Sequence, residues 1–274
     1  MDNKDKELYN EAEEETALWD DELQEEDGTR IGRKVGPARF FELMGRDFGS
    51  FFITSLFFVL GIFPGMALLY FSIMAEFFPG ALLGGILAGL IGAPLLCGLE
   101  DTMLRSLRDE AGLWWSRYRK AWKQNWKQSL LPGAILGAFF GCWGYIILHL
   151  PDMDNVPITV WISMVLGMVF AMILILLIAA QIVLVSLPLG TILKNAGLLI
   201  AGYFPKCLAA GIISSVYWAA CFLYLPYSLA VLMLTGAWLP VLISLMLVYP
   251  VLNRALHIEE SIEKKNAEKY KNLL

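Results

Sequence analysis

Three long stretches of this chain contain no lysine or arginine: 47–104, 128–193 and 207–253. Charged residues make up only 17% of the sequence, against about 25% in soluble domains. That scarcity excludes an ordinary water-facing surface for most of the chain. Histidine occurs twice and cysteine four times, at Cys97, Cys142, Cys207 and Cys221. No two cysteines form a CxxC pair, and two histidines cannot complete a zinc-type ligand set. Neither a metal nor a cofactor is therefore expected, and the cysteines read as small apolar core residues. The chain also lacks a Gly-rich phosphate loop ending in Lys-Ser or Lys-Thr, an HExxH helix and a GxSxG elbow. No catalytic set is visible, which points to a non-enzymatic protein.

What the chain has instead is apolar length. Of its 274 residues, 57% are hydrophobic, and the mean hydropathy is +0.59. Its basic residues fall at 4–46, 105–127, 194–206 and 254–271, whereas the intervening turns near 76–80, 151–157 and 225–228 carry none. Six crossings put every Lys and Arg on one face, and the positive-inside rule makes that face cytoplasmic. The expected fold is an all-α polytopic membrane helical bundle of about six transmembrane spans, with both termini cytoplasmic. The net charge of −5 does not describe this domain, because 13 of the 26 acidic residues lie in residues 1–27. The same acidic start lacks the basic and apolar regions of a signal peptide, so the first span is expected to act as an uncleaved anchor.

Residues 1–37 read as an acidic, mostly disordered cytoplasmic tail, 38–253 as the membrane domain and 254–274 as a charged cytoplasmic tail. Residues 30–47 suggest a short interfacial helix. The first span is expected over about 48–75, with a kink at Pro64. The second, about 80–98, carries Gly80, Gly84, Gly85 and Gly89. The third, about 130–149, carries Gly133, Gly137 and Gly141. Glycines four apart share a helix face. Lipid supplies no hydrophobic drive for helix association, so small residues that let backbones touch are natural contact points. These two spans are expected to form a tight pair, with a homodimer through either face as the rival. The fourth span covers about 158–186, and residues 187–206 return through the cytoplasm. A turn at 225–228 is preferred over one at Thr235-Gly236 as the boundary between the fifth and sixth spans, the sixth ending near Pro250.

The most distinctive segment is 100–129, EDTMLRSLRDEAGLWWSRYRKAWKQNWKQS. Trp114, Trp115, Tyr118, Trp122 and Trp126 recur at helical spacing. Arg105, Arg108, Arg117, Arg119, Lys120, Lys123 and Lys127 fill other positions. Trp favours the headgroup level, and long basic side chains reach phosphates. The segment therefore reads as an amphipathic connection lying along the cytoplasmic interface, broken near Gly112. It would contact anionic lipid and set the depth of the domain, or dock another protein. A nucleic-acid surface is excluded by the membrane on both sides. The acids Glu100, Asp101, Asp109 and Glu110 read as solvated ion-pair partners of the neighbouring arginines.

No Asp, Glu, Lys or Arg is expected within the six spans, which argues against a proton-coupled pump. Gln181 is the most interior strong hydrogen-bonding side chain and is expected to bond a neighbouring helix. If the chain were itself a sugar transporter or channel, Trp143, Tyr145, Gln181, Tyr217 and Trp218 would be its candidate lining. The acidic residues 1–27 could also rest on the basic stretch 105–127 in the same compartment.

The run GRDFGSFFITSLFFVLGIFPGMALLYFSI (45–73) resembles the opening of the YesL family of bacterial integral membrane proteins. WWSRYRKAWKQNWKQS (114–129), leading into a Gly-containing span, and LPVLISLMLVYPVLNRAL (239–256) are similar to that family's later segments. The resemblance covers about 38–256. It implies a multi-pass protein of the bacterial plasma membrane, associated with carbohydrate uptake and possessing no assigned catalytic residues. The combined expectation is an accessory or regulatory component beside carbohydrate transporter subunits.

Overall fold

Lipid offers backbone N–H and C=O groups no partners, so long uncharged runs must bond internally as helices. A computed structural model of the protein describes residues 33–110, 113–153, 155–185, 187–224, 227–262 and 264. Among these, eight α-helices and no strands occur. In chain order they are α1 Gly36–Met74, α2 Phe78–Leu107, α3 Trp114–His149, α4 Ile158–Leu184, α5 Leu189–Gly202, α6 Phe204–Leu223, α7 Ser228–Thr235 and α8 Trp238–Leu256. Six of them, α1 to α4, α6 and α8, are long and apolar enough to cross a membrane. Their outward faces carry large exposed apolar side chains such as Leu60, Phe63, Phe71, Leu83, Ile135 and Leu166. A water-soluble protein would bury such a surface. The chain is thus a multi-pass helical membrane protein.

Prolines mark helix entrances, where a missing N–H costs nothing. Pro79 sits in the first turn of α2, and Pro157 and Pro188 immediately precede α4 and α5. Pro64, Pro94, Pro132 and Pro250 lie inside helices that continue on both sides of them.

Several expected boundaries are corrected. Residues 36–47 are the first turns of α1 and not a separate interfacial helix. The return after α4 contains the 14-residue helix α5. Between the fifth and sixth spans lies a short helix. α6 ends at Leu223, α7 occupies 228–235, and α8 starts only at Trp238. The sixth span reaches 19 residues because it runs through Pro250 to Leu256. Gly236, at φ +49°, makes the turn before α8. Ser55 of α1 closes that turn by accepting hydrogen bonds from the backbone N–H groups of Ala237 (2.7 Å) and Trp238 (3.2 Å). Those are orphan donors at the start of α8.

The described residues form two compact units, one within 43–249 and a second built from 33–42 with 250–264. Within the second unit Arg33 pairs with Glu259 at 2.7 Å, both largely buried, and the backbone N–H of Glu259 donates to Asn253 Oδ1 at 3.0 Å. Residues 1–32, including the acidic stretch expected to rest on 105–127, lie outside the described residues.

Inside 43–249, α2 is the central helix. Gly84 and Gly80 face α1: a Cβ on Gly84 would lie 2.9 Å from the Gly65 carbonyl, and one on Gly80 would meet the Ser72 hydroxyl. Gly85 and Gly89 face α3, where Gly133, Gly137 and Gly141 meet them backbone to backbone. A Cβ on Gly133 would lie 2.5 Å from the Gly89 oxygen, and one on Gly141 2.7 Å from that of Ala81. Both glycine faces of α2 are therefore occupied within one chain. Polar side chains stitch the remaining helices. Trp143 of α3 donates to the Met164 carbonyl of α4 at 2.9 Å. Ser214 of α6 and Ser244 of α8 share a hydrogen bond at 3.0 Å, and Ser244 also donates to Ala210 at 3.0 Å.

Candidate functional site

The buried acids of 43–249, Glu100 and Asp101, lie near the end of α2, beside the start of α3 and the passage from α4 into α5. All these segments lie on the basic face defined by the sequence. α2 does not stop near Gly98 but continues to Leu107, carrying Glu100 and Asp101 inside the protein. The turn 108–110 reverses the chain, with Asp109 at φ +58°. α3 then starts at Trp114 and runs unbroken for 36 residues. At about 1.5 Å per residue it is about 54 Å long, well beyond a hydrocarbon core of about 30 Å. The aromatic-basic segment is therefore the N-terminal extension of the third span. It is not a separate element lying across the interface.

That placement splits the candidate residues into two sets. Arg105, Arg108 and Arg117 turn inward to an ion-pair network. Arg105 bonds Asp101 (2.9 Å) and Glu110 (2.6 Å), Arg108 bonds Glu110 (2.7 Å), and Arg117 donates to the Glu110 carbonyl (3.2 Å). Arg46 of α1 ties in Asp109 (2.5 Å), Asp47 (2.8 Å) and the Ser106 carbonyl (2.7 Å). Burial pushes the Glu110 carboxyl up, but Arg108 and Arg105 outweigh that and hold it below the ordinary carboxylate range. Tyr118 is buried against Gly98 and stacks on Trp115, with Phe57 and Trp114 completing the cluster.

The second set remains outside. Trp122 and Trp126 are about 40% exposed, alongside exposed Arg119, Lys120, Lys123 and Lys127. The Lys127 ammonium lies 5.8 Å from the Trp126 ring. Trp115 contributes to both sets, being 51% exposed on its outer side. Inward-paired arginines cannot present charge to a partner, so only this second set qualifies as a contact surface.

Glu100 is not the solvated ion-pair partner that its neighbours in the sequence suggest, and the structure corrects this. It is fully buried, and neither carboxylate oxygen has a hydrogen-bond partner among the described residues. A buried polar group without a partner carries its full desolvation cost. The signal is present in the sequence: Leu96, Cys97, Met103, Leu104 and Leu107 sit three, four or seven residues away, on the buried stripe that includes Glu100. Ending α2 near Gly98 hides that stripe. Gln181 is also fully buried, yet its amide donates to Leu177 of its own helix (3.1 Å), while its carbonyl oxygen has no partner. The expected bond to a neighbouring helix is not made.

Beside this network lies a cavity of about 680 Å³. Asp101 and Arg105 of α2, with Gln124, Asn125 and Gln128 of α3, form its polar walls, and Ile182, Val183 and residues 187–189 complete it. Gln128 fixes the far wall by donating to the Leu187 carbonyl at 2.5 Å. Trp143, Tyr145, Gln181, Tyr217 and Trp218 do not line it. Tyr145 instead donates to the Glu76 carbonyl at the opposite end (3.0 Å), and Tyr217 bonds Thr235 (2.7 Å) and Gly236 (2.6 Å). The described residues contain no group of three His, Cys, Asp or Glu side chains able to hold a metal. Comparison of the chain with protein-family models, curated proteins and solved structures returns no match.

Proposed function

We propose that the chain is a non-enzymatic accessory or regulatory subunit of a membrane complex, engaging its partner through the exposed Trp122–Trp126 face of α3. The observation that carries this reading is the division of labour along the α2–α3 pair. Over their apolar half the two backbones touch at Gly85, Gly89, Gly133 and Gly137, leaving no room for a solute between them. At the basic end, the same helices expose aromatic and cationic side chains in one stripe. Trp in such a setting supplies large contact area at low entropy cost and is enriched in binding hot spots. The resemblance to the YesL family directs this role to the bacterial plasma membrane and to carbohydrate uptake systems.

Crosslinked membranes, solubilised mildly and purified through the tagged chain, provide the test. Recovery of transporter subunits, lost on replacing Trp122 and Trp126 together by Ala, is the expected result. Neither ring packs in the Phe57–Trp115–Tyr118 cluster, so the helix pair should survive the change. Recovery of the chain alone would reject the accessory role.

Buried Glu100 favours a second reading, a sugar transporter in its own right, because ionisable groups buried in membrane proteins mark transport pathways. Sugar uptake by proteoliposomes of the purified protein, abolished by Glu100→Gln, would select it over the first.

A further inference from the structure

We infer that the cavity between α2, α3 and the α4–α5 connection is a binding site for a small neutral polyhydroxylated molecule reaching it from the basic face. The volume, about 680 Å³, falls within the range of small-molecule sites, about 300–1,000 Å³. Its wall chemistry selects the ligand class. Asp101 is almost fully buried and already paired with Arg105, which is also bonded to Glu110. The charged part of the wall is thus balanced, and an incoming phosphate or carboxylate would find two acids competing for the one guanidinium. A cation would meet the same guanidinium.

The unspent groups are amides. Gln124 and Asn125 make no hydrogen bond among the described residues, so each offers two N–H donors and a carbonyl acceptor. Gln128 has spent a donor on Leu187 and retains its acceptor. Paired donors and acceptors without net charge match vicinal hydroxyls, each of which both donates and accepts. Pro188 and its apolar neighbours give the opposite wall a surface for the C–H face of a ring.

Ligand binding here is independent of the docking role and is measured without a partner protein. The full-length chain is reconstituted in phosphatidylcholine nanodiscs, avoiding detergents with sugar headgroups that would occupy the site. Equilibrium binding is then measured with radiolabelled glucose, maltose and myo-inositol, and separately with inorganic phosphate and glutamate. Saturable binding of at least one polyol, with none of phosphate or glutamate, is expected. Asn125→Leu and Gln124→Leu should each weaken it by about tenfold or more, the size of one or two lost hydrogen bonds. Asn125→Gln should restore part of it. Both positions are at least partly exposed, so the variants should keep the wild-type unfolding midpoint, which is checked by Trp fluorescence. Displacement of the label by a glucosyl lipid in the disc would identify a lipid headgroup as the source of the same chemistry, and displacement by free sugar alone a soluble ligand. Absence of saturable polyol binding, binding that survives both Leu variants in folded protein, or preference for phosphate or glutamate would each overturn the inference.

Discussion

The α2–α3 pair behaves differently at its two ends. Over Gly85–Gly89 and Gly133–Gly141 the helices meet backbone to backbone, with the Ala93 methyl against Gly133. Over Cys97–Arg105 and Tyr118–Gln128 the Tyr118 ring packs against Gly98, while the Asp101–Arg105 pair of α2 and three amide side chains of α3 line a cavity alongside. Close packing is the only attraction lipid leaves to an apolar helix pair, so the glycine half holds the pair together. The polar half can then accommodate imperfect contacts, including a carboxyl with no partner at Glu100. Adhesion and the proposed recognition surface are segregated along one pair of helices.

Breaking the glycine half should have the largest effect. Gly89→Leu or Gly137→Ile places a side chain into the partner backbone, which cannot retract as a flexible side chain would. A loss above about 3 kcal/mol, seen as failure to fold or a collapsed unfolding midpoint in detergent, is expected. Gly144 is in the same helix with nothing within 4 Å of its notional Cβ, and Gly144→Ala should stay within about 0.5 kcal/mol of wild type. Equal effects at both sites would dissolve the distinction between packed and free glycines.

The polar half should respond with the opposite sign at one position. Glu100→Met replaces an unpartnered buried carboxyl with an apolar side chain of similar reach. Stability should rise by about 1–3 kcal/mol, the cost of leaving a buried polar group unsatisfied. Destabilisation instead would mean that Glu100 has a partner outside the described residues, and a partner that is not part of this chain would strengthen the transporter reading.

A third, smaller loss is expected at the start of α8. Ser55→Ala removes the hydroxyl that accepts from Ala237 and Trp238, and should cost about 1 kcal/mol in thermal unfolding. No change would mean that those donors find another acceptor.

The adhesive half is legible in the sequence and the polar half is not, for a physical reason. Charge-free runs and glycines four apart report directly on spans and close contacts, since both follow from helix periodicity and the absence of water. Helix ends on the basic face are not set by the bilayer. Hydropathy alone therefore ends α2 near Gly98, puts Glu100 and Asp101 into a loop and lays 114–129 across the interface. The Asp101–Arg105 pair follows from i,i+4 spacing, whereas Glu110 reaches Arg105, Arg108 and Arg117 only through the turn at 108–110. The turns at 225–228 and at Gly236 read as alternatives in the sequence; Gly236 makes a turn, and residues 225–226 of the other lie outside the described residues. A single boundary leaves no place for the short helix between them.

The smallest effect concerns Glu110, which joins three arginines at that reversal. Its carboxyl is held below its ordinary range by Arg108 and Arg105 in spite of burial, so its pKa is lower folded than unfolded. A group with a depressed folded pKa stabilises above its unfolded value, about 4.3 for Glu. That contribution is lost as pH falls through the lower folded value. At neutral pH, Glu110→Gln should therefore lower the unfolding midpoint, and the gap to wild type should close as pH drops below about 4. Arg108 makes the comparison sensitive, because its guanidinium is 6% exposed and the substitution removes a charged neighbour 2.7 Å away. A gap that stays constant over this range would assign Glu110 a role through shape alone. The polar half would then be held by packing, as the glycine half is.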